Sequence, residues 1–415
     1  MQKTFFHIDV NSAYLSWTSV ENLRTGRGED LRLIPAIIGG DSSKRHGVVL
    51  AKSIPAKKYH IQTGEPITHA LQKYPNLIIA PPEHPLYEHY SELLMQHLAA
   101  FCPDIEQVSV DECYMDYTSV SDYYDSPEQA AAILKDSVRN TFGFTVNVGI
   151  SDRKVLAKMA SDFRKPDLVH TLYSHEIRTK LWPLPVSKLF LCGQSSVETL
   201  RKLGIHTIGD LAASEPSIIT AHLKSHGQTL WNYANGIDNS RVITAPVEAK
   251  GIGNSTTLPA DVTNSADAKK TLLALSESVA ERLRQSRKLA GLVCVEIKYS
   301  SFHSVSHQKA LLTPCDSADM LYEAACTLFD ELWNGQPIRL LGLRSGKLTA
   351  PTDPVQISLF DLTTDIPEKK KKLDQALDSI RARYGRDSVV RGTFYQSEKH
   401  TGNSGDFTHN QSDEP

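Results

Sequence analysis

The first 165 residues alternate short apolar runs with longer stretches in which apolar residues recur every three or four positions. Short apolar runs predict buried strands, and the wider spacing predicts helices that bury one face. The stretch from Tyr90 to Phe101 shows the helical spacing clearly, which predicts core packing. The predicted strands are 4–8, 36–38, 77–80 and 145–150. One predicted helix ends near residue 22, and three more cover 85–101, 127–142 and 153–163.

Two short apolar segments, 105–110 and 114–115, lie in the middle of this region and are joined by a turn. A hairpin between two strand–helix units predicts the split βαβ arrangement of a ferredoxin-like domain. The central strands of that arrangement would bring Asp9, Asp111 and Glu112 to one edge of the sheet.

The second half of the chain changes to short helices and then returns to strands. Between 175 and 236 a helical hairpin turns at Gly204, and its second helix N-terminus suits a phosphate. Plain helical packing explains this pattern equally well. The segment 241–254 lacks periodicity and contains glycine and proline, which predicts a linker. A second αβ domain follows, with predicted helices at 265–286 and 317–333 and predicted strands at 289–299, 303–312 and 338–348.

A polar tail begins at about residue 351. Leu359 and Phe360 form an apolar pair in polar surroundings there. Between 373 and 384 apolar residues step by four, three and four, which predicts one face of a short amphipathic helix. From about residue 398 apolar content almost vanishes, so we expect disorder.

Composition changes this picture little. A chain of 415 residues with 40% hydrophobic and 22% charged content allows about two to four globular domains. The sequence shows neither a membrane-length apolar run nor a signal segment, so we expect no membrane. The net charge of −3 does not indicate a nucleic-acid binder, but between 281 and 310 six basic residues outnumber two acidic ones. Such a local basic face can bind phosphates.

The six cysteines are scattered and include no Cys-x-x-Cys pair. This spacing argues against a structural zinc and against a disulfide framework, because both need paired cysteines. Reduced cysteines are typical of a cytoplasmic protein, and we expect that location here.

Asp9, Asp111 and Glu112 are the candidate chemistry. Carboxylates held close together repel one another unless a cation lies among them. By itself, an acidic pair at a turn is more often a solvated loop than a metal site. The basic run from 44 to 58 is just as well explained as a solvated face.

Residues 9–14 read Asp-Val-Asn-Ser-Ala-Tyr, and residues 109–116 read Ser-Val-Asp-Glu-Cys-Tyr-Met-Asp. The second motif follows a Ser-x-Asp-Glu-x-Tyr-x-Asp pattern, and further matches lie at 147–166 and 337–343. On these motifs the chain resembles the Y-family translesion DNA polymerases of the DNA polymerase IV (DinB-like) branch over about residues 4–350.

The resemblance implies an α+β right-hand polymerase fold. Its parts would be a ferredoxin-like palm, small fingers, a helical thumb with a helix-hairpin-helix, and an αβ little finger. The implied ranges are 1–16 and 78–170 for the palm, 17–77 for the fingers, 171–240 for the thumb, 241–254 for the linker, 255–350 for the little finger and 351–415 for the tail.

The resemblance also implies error-prone, template-directed DNA synthesis past damaged bases with two Mg²⁺ ions. Asp9 and Asp111 would hold both ions, Glu112 the primer-side ion, and the Val10 carbonyl the nucleotide-side ion. These oxygen donors suit a hard cation, and two such ions stabilise the attacking and leaving oxygens of nucleotidyl transfer.

Substrate binding follows from the same resemblance. Tyr14 would exclude the 2′ hydroxyl of ribonucleotides, and Ser12, Lys57 and Lys165 would also contact the nucleotide. The implied partners are primer–template DNA, deoxynucleoside triphosphates and the bacterial sliding clamp, with the protein acting as a monomer. The clamp follows from a second resemblance: residues 356–360, Gln-Ile-Ser-Leu-Phe, resemble the bacterial sliding-clamp-binding peptide, and the clamp would bind them through Gln356, Leu359 and Phe360.

Four positions depart from the family pattern. Ile54 and Lys57 stand where the family often has Tyr and Arg, which lowers the expected nucleotide affinity. Asn11 replaces a common acid. Ala13 replaces a common aromatic, and the lost volume suggests an altered lesion preference.

Two other functions fit parts of the sequence. A non-catalytic scaffold that holds DNA and clamp would not need the three acids, and all three are present. A nucleotide cyclase on a similar palm would not need the helical hairpin, the basic second domain or the clamp-like peptide.

Overall fold

The computed structural model divides into two compact units, Met1–Pro246 and Val247–Pro415. The described residues are 3–40, 47–245, 248–353, 368–385, 388–389 and 391–392. In these ranges no helix has the length and apolar character needed to cross a membrane. Outside them lie Lys44 and Arg45 of the basic run, the predicted clamp-binding peptide with Gln356, Leu359 and Phe360, and the residues from 398 on.

A five-stranded sheet forms the centre of the first unit. Strand β1 (Phe5–Val10) lies between β6 (Glu112–Asp116) and β7 (Val146–Ser151) and is antiparallel to both. Strand β5 (Ile105–Gln107) pairs with β6, and β8 (Val169–Thr171) runs parallel to β7 at the far edge. The order β5–β6–β1–β7 is that of a split βαβ unit, so the predicted ferredoxin-like arrangement is confirmed.

Two strand ends differ from the predicted ones. Val108 and Val110 lie in the turn of the hairpin rather than in its first strand. Backbone N–H groups of Val108 and Ser109 both donate to the Glu112 carbonyl, which closes the turn before a longer strand can form. Strand β1 runs through Asp9 to Val10 because both residues pair with β7.

Helices cover both faces of this sheet. On one face lie α1 (Ala13–Thr25), α4 (His84–Phe101) and α5 (Pro127–Phe142), whose buried apolar side chains share one core with β1. On the other face α6 (Lys154–Ser161) packs directly on β7. A Cβ at Gly149 would lie 2.0 Å from the Ala157 carbonyl oxygen, so only glycine permits this close approach.

A smaller three-stranded sheet follows α1. Strand β2 (Ala36–Gly39) lies between β3 (Val49–Lys52) and β4 (Ile78–Ala80), beside the short helices α2 (Ile54–Lys57) and α3 (Ile67–Lys73). Strand β3 was not predicted, because it has only four residues and lies inside the basic run.

The remainder of the first unit is helical. Single helical turns at Ser174–Glu176, Ile177–Leu181 and Val186–Lys188 precede α7 (Gln194–Lys202), α8 (Ile208–Ala213) and α9 (Pro216–Ala234), and a further turn covers Tyr117–Tyr123. Gly204 has a φ of 80° in the turn between α7 and α8, where a side chain would be strained. Thr207 caps α8 by accepting from the Asp210 N–H. The predicted helical hairpin is confirmed.

The second unit is a four-stranded antiparallel sheet in the order β11–β10–β12–β9. Two helices share its core. The elements are β9 (Gly251–Val262), α10 (Ser265–Gln285), β10 (Leu289–Tyr299), β11 (Ser304–Cys315), α11 (Ala318–Leu332) and β12 (Ile338–Thr349).

Strand β9 begins inside the interval that was predicted to be a linker, so residues 251–254 are strand. It is an edge strand in which Ile252 and Leu258 are the buried apolar residues, and so it lacks the apolar run that marks β10.

A last helix, α12 (Glu368–Tyr384), follows in the tail. The helix was predicted, and three residues of its apolar face, Leu373, Ile380 and Tyr384, are exposed. Acidic and basic side chains make its contacts instead, with Asp378 receiving two hydrogen bonds from Arg284 of α10.

Candidate active site

The sheet register brings the three candidate acids to one edge. Asp9 of β1 lies directly opposite Glu112 of β6. Asp111 lies just before β6, and its carbonyl accepts a hydrogen bond from the Val10 N–H at 3.0 Å. Asp9, Asp111 and Glu112, called the acid cluster below, therefore meet because of strand pairing.

Two lysines neutralise part of this charge. Lys158 of α6 places its Nζ 2.6 Å from Glu112 Oε2 and 3.4 Å from Asp9 Oδ2. Lys165 Nζ lies 2.8 Å from Asp9 Oδ1 and 2.8 Å from Asp162 Oδ1. Each Asp9 oxygen thus faces one ammonium group.

The environment pushes the two neighbouring carboxyl groups in opposite directions. His7 and Lys158, which face the Glu112 carboxylate, lower the pKa of Glu112 to about 2. Burial raises the pKa of Asp111, and repulsion from Asp9 and Glu112 adds to the increase, although the Ser109 hydroxyl donates to Asp111 at 2.6 Å. Titratable neighbours with divergent pKa values are typical of catalytic sites.

The buried side chain of His7 contacts the Glu112 carboxylate. His7 Nδ1 lies 2.9 Å from the Ser161 hydroxyl, and Nε2 lies 3.4 Å from Glu112 Oε2. Burial lowers the pKa of His7, so the ring is held neutral against the carboxylate. Lys158 makes the closer contact to the same oxygen.

Sequence reasoning missed the placement of His7 and Lys158. His7 lies in an apolar strand, and Lys158 lies in a segment that matches the family pattern. Only the packing of α6 on β7 shows that both side chains reach Glu112. The available signal was a lysine at position 158 in a helix whose other residues are mostly buried.

The donor atoms of the acid cluster fit a hard divalent cation. Carboxylate and backbone carbonyl oxygens are the ligands that Mg²⁺ prefers. Among the described residues, however, no three His, Cys, Asp or Glu side chains converge on one point at metal-binding distance. Glu112 contacts Lys158 and His7.

A cavity of about 320 Å³ opens beside the acid cluster. All four predicted nucleotide-binding residues line this cavity, and three of them also line a neighbouring cavity of about 370 Å³. The residues that line the first cavity include Asp9, Val10, Ser12, Ala13, Tyr14, Lys52, Lys57, Asp111 and Lys165. The residues that line the second cavity include Ser12, Ile54, Lys57 and Lys165.

Tyr14 has a fixed position at the wall of this cavity. Its ring stacks on Tyr87 of α4 with centroids 4.3 Å apart and planes 9° apart. Ser12, with a φ of 50°, turns the chain sharply between β1 and α1. The turn places Tyr14 in the first turn of α1.

Asn11, which replaces a common acid of the family, is buried in a hydrogen-bonded network. Its Nδ2 donates to Asn147 Oδ1 at 3.1 Å, while its Oδ1 accepts from the Thr145 hydroxyl and the Asp167 N–H at 2.9 Å each. An ionised aspartate could not donate the hydrogen bond that Asn147 Oδ1 accepts here.

Comparison with known proteins shows the family of this chain. Residues 8–162 match the model of the impB/mucB/samB family, and residues 249–359 match the model of that family's C-terminal domain. The chain is 46% identical to a DNA polymerase IV of Clostridium acetobutylicum, over 96% of this chain and 100% of the relative.

The chain belongs to the Y-family DNA polymerases, in the DNA polymerase IV branch. Another member, DNA polymerase IV 1 of Bacillus subtilis, is 30% identical over 96% of this chain and 94% of the relative. In fold the chain resembles the solved Y-family DNA polymerase chimera Dbh-Dpo4(243-245)-Dbh, with a TM-score of 0.71 at 21% identity, covering 84% of this chain and 99% of the other.

Membership in the Y family makes the chain a DNA-directed DNA polymerase of the translesion class, which depends on a divalent metal. Nothing in the structure or in these matches favours the non-catalytic scaffold.

Proposed function

We propose that the acid cluster is the catalytic centre at which this polymerase joins deoxynucleotides to a primer 3′ end opposite damaged bases. The observation that carries the proposal is the pairing of Asp9 with Glu112 across β1 and β6, with Asp111 adjacent. Asp9 and Asp111 would hold two Mg²⁺ ions, with Glu112 as a further ligand of the primer-side ion and the Val10 carbonyl as a further ligand of the nucleotide-side ion.

When bound, the two ions supply charge stabilisation for the attacking and leaving oxygens of the transfer. The chain's own residues position the substrates. Asp9 and Asp111 lie at the wall of the cavity that contains Lys57 and Lys165. The triphosphate binds to these two lysines and to Ser12, so its reacting phosphorus lies next to the carboxylates.

Tyr14 selects the sugar. Stacking on Tyr87 fixes the Tyr14 ring at the cavity wall, so the ring cannot move aside for a 2′ hydroxyl. Deoxynucleoside triphosphates are therefore accepted and ribonucleotides are rejected.

Primer extension tests the assignment. Wild type and Glu112→Ala are compared on a short primer–template with Mg²⁺ and the four deoxynucleotides, with Glu88→Ala as the control because Glu88 is exposed on α4. We expect extension by the wild type and the control and its collapse in Glu112→Ala. Equal extension by all three proteins would refute the assignment of the acid cluster.

We also propose that the polymerase acts as a monomer in the cytoplasm, on primer–template DNA that is held by the sliding clamp. The clamp peptide 356–360 lies in the interval between β12 and α12, so substitution is a cleaner test than truncation, which would also remove α12. The double substitution Leu359→Ala and Phe360→Ala should abolish clamp-stimulated extension and leave clamp-independent extension unchanged. Loss of both activities would argue against a specific clamp contact.

A further inference from the structure

Lys158 occupies an unusual position in the acid cluster. Its ammonium group lies within 3.4 Å of an oxygen of Asp9 and an oxygen of Glu112, and its side chain is 12% exposed. It bridges two carboxylates that a primer-side metal ion would also have to bridge.

The fold holds Lys158 there firmly. Gly149 lets α6 lie directly against β7, so the lysine stem leaves the helix next to the sheet edge. Lys158 Nζ also lies 3.7 Å from Asp162 Oδ2, so three carboxylates surround the ammonium group.

Lys165 provides an internal comparison. It contacts the other oxygen of Asp9, but its side chain is 30% exposed and lines the nucleotide cavity, where a triphosphate needs a cation. Lys158 does not line that cavity. The Lys158 ammonium group faces the carboxylates, so Lys158 pairs with Glu112 rather than with the nucleotide.

A metal ion and this ammonium group compete for Asp9 Oδ2 and Glu112 Oε2, because two cations that close to the same oxygens repel each other. Space for the lysine to move exists beside it, since a cavity of about 190 Å³ is lined by Lys158, Glu112, Phe190, Tyr233 and Ser240.

We propose that Lys158 is a built-in competitor for the primer-side metal ion: it pairs with Glu112 and Asp9 in the metal-free enzyme and must leave Glu112 before the ion binds. The inference rests on the proposed assignment of Asp9 and Glu112 as metal ligands.

The first test measures binding of Mn²⁺ alone, by calorimetry, to the DNA-free protein. Removing the competing charge in Lys158→Met should tighten the dissociation constant on the order of tenfold. Lys158→Arg keeps the charge and should bind Mn²⁺ no more tightly than the wild type. The matched control is Lys180→Met, because Lys180 also lies 2.6 Å from a glutamate, Glu176, but at a distant surface.

The second test needs no variant and covers the case in which Lys158→Met fails to fold. Lysines of the wild-type protein are acylated with and without Mn²⁺, and the rate at each lysine is read by mass spectrometry. We expect Mn²⁺ to increase the rate at Lys158 several-fold and to leave Lys180 unchanged. An unchanged or slower rate at Lys158, or unchanged Mn²⁺ affinity in a folded Lys158→Met, would overturn the inference.

Glu112→Ala separates this inference from the assignment on which it rests. If Glu112→Ala weakens Mn²⁺ binding while Lys158→Met leaves it unchanged, Glu112 is a metal ligand but Lys158 does not compete with the metal ion. If Glu112→Ala binds Mn²⁺ as the wild type does, the ligand assignment itself fails, and the inference fails with it.

Discussion

Two clusters of partly buried charge in this polymerase have opposite characters. The acid cluster of the first unit places Asp111 beside two other carboxylates, and the Ser109 hydroxyl donates to it. In the second unit Glu277, Arg284, Asp378 and Arg381, here called the docking cluster, pair each acid with a guanidinium.

The geometry of the docking cluster is close to ideal for ion pairs. Arg284 donates to both oxygens of Asp378, at 2.6 and 2.9 Å, and Arg381 donates to Glu277 at 3.1 Å. Bidentate arginine–carboxylate contacts are among the strongest in proteins. The comparison teaches that complementary charge holds an element in place, whereas uncompensated charge marks a place for a ligand.

The largest expected effect comes from removing the uncompensated charge. Asp111→Asn should lower the rate of primer extension on the order of a thousandfold, because a metal ligand is lost. The same change should raise stability at neutral pH by up to about 2 kcal/mol, because a repelled carboxylate becomes neutral. Activity assays and urea unfolding of the metal-free protein measure both effects, with the exposed Asp122→Asn as the control. If Asp111→Asn is less stable than the wild type, the charge of Asp111 does not destabilise the fold, and the contrast between the two clusters fails.

The sign of the Asp111 effect follows from its raised pKa. A carboxyl group whose pKa is raised in the folded protein destabilises the fold only at pH values at which it is ionised in the unfolded chain. The stability gain of Asp111→Asn should therefore be present at neutral pH and disappear as the pH falls through the raised pKa toward about 3.9.

Glu112 should behave in the opposite way. Its folded pKa of about 2 lies below the ordinary value near 4.3, so the ionised form stabilises the fold above that value. In metal-free protein, Glu112→Gln should lose up to about 3 kcal/mol of unfolding free energy at pH 7. The difference should shrink as the pH falls from about 4.3 toward 2, as urea titrations at pH 7, 5 and 3 would show. A difference independent of pH would mean that packing, not charge, is responsible.

The docking cluster provides the next effect. Arg284→Ala should weaken the docking of α12 by about 2 kcal/mol, because Asp378 loses both of its hydrogen bonds. Hydrogen exchange of the amides between 373 and 384 should accelerate, while exchange within β10 stays slow. Arg282→Ala is the matched control, since Arg282 lies on the same helix and donates to the Gly253 carbonyl instead. Primer extension without a clamp should not change.

The smallest effect concerns the rim of the acid cluster. Lys57→Arg should lower the KM for deoxynucleotides roughly threefold without changing kcat, because a guanidinium fork binds phosphate oxygens in pairs. Steady-state kinetics beside Lys58→Arg, which does not line the cavity, would measure it. A change in kcat instead would place Lys57 at the reacting phosphate.

Much of the architecture could be read from local pattern. The helix predicted at 127–142 is α5 with the same bounds, and the strand predicted at 289–299 is β10. These elements have strong periodicity and clear ends. Strands β3 and β9 were missed because edge or short strands bury few residues and carry little apolar signal.

The sequence by itself determined the order of elements, the family and the candidate acids, because those depend on residue types at fixed spacing. Only the tertiary structure decided that Asp9 lies opposite Glu112 and that His7 and Lys158 meet the same carboxylate. It likewise decided that charge rather than an apolar face docks α12. Each of these contacts joins residues far apart in the chain, and strand register and helix packing, which local pattern does not encode, set their distances.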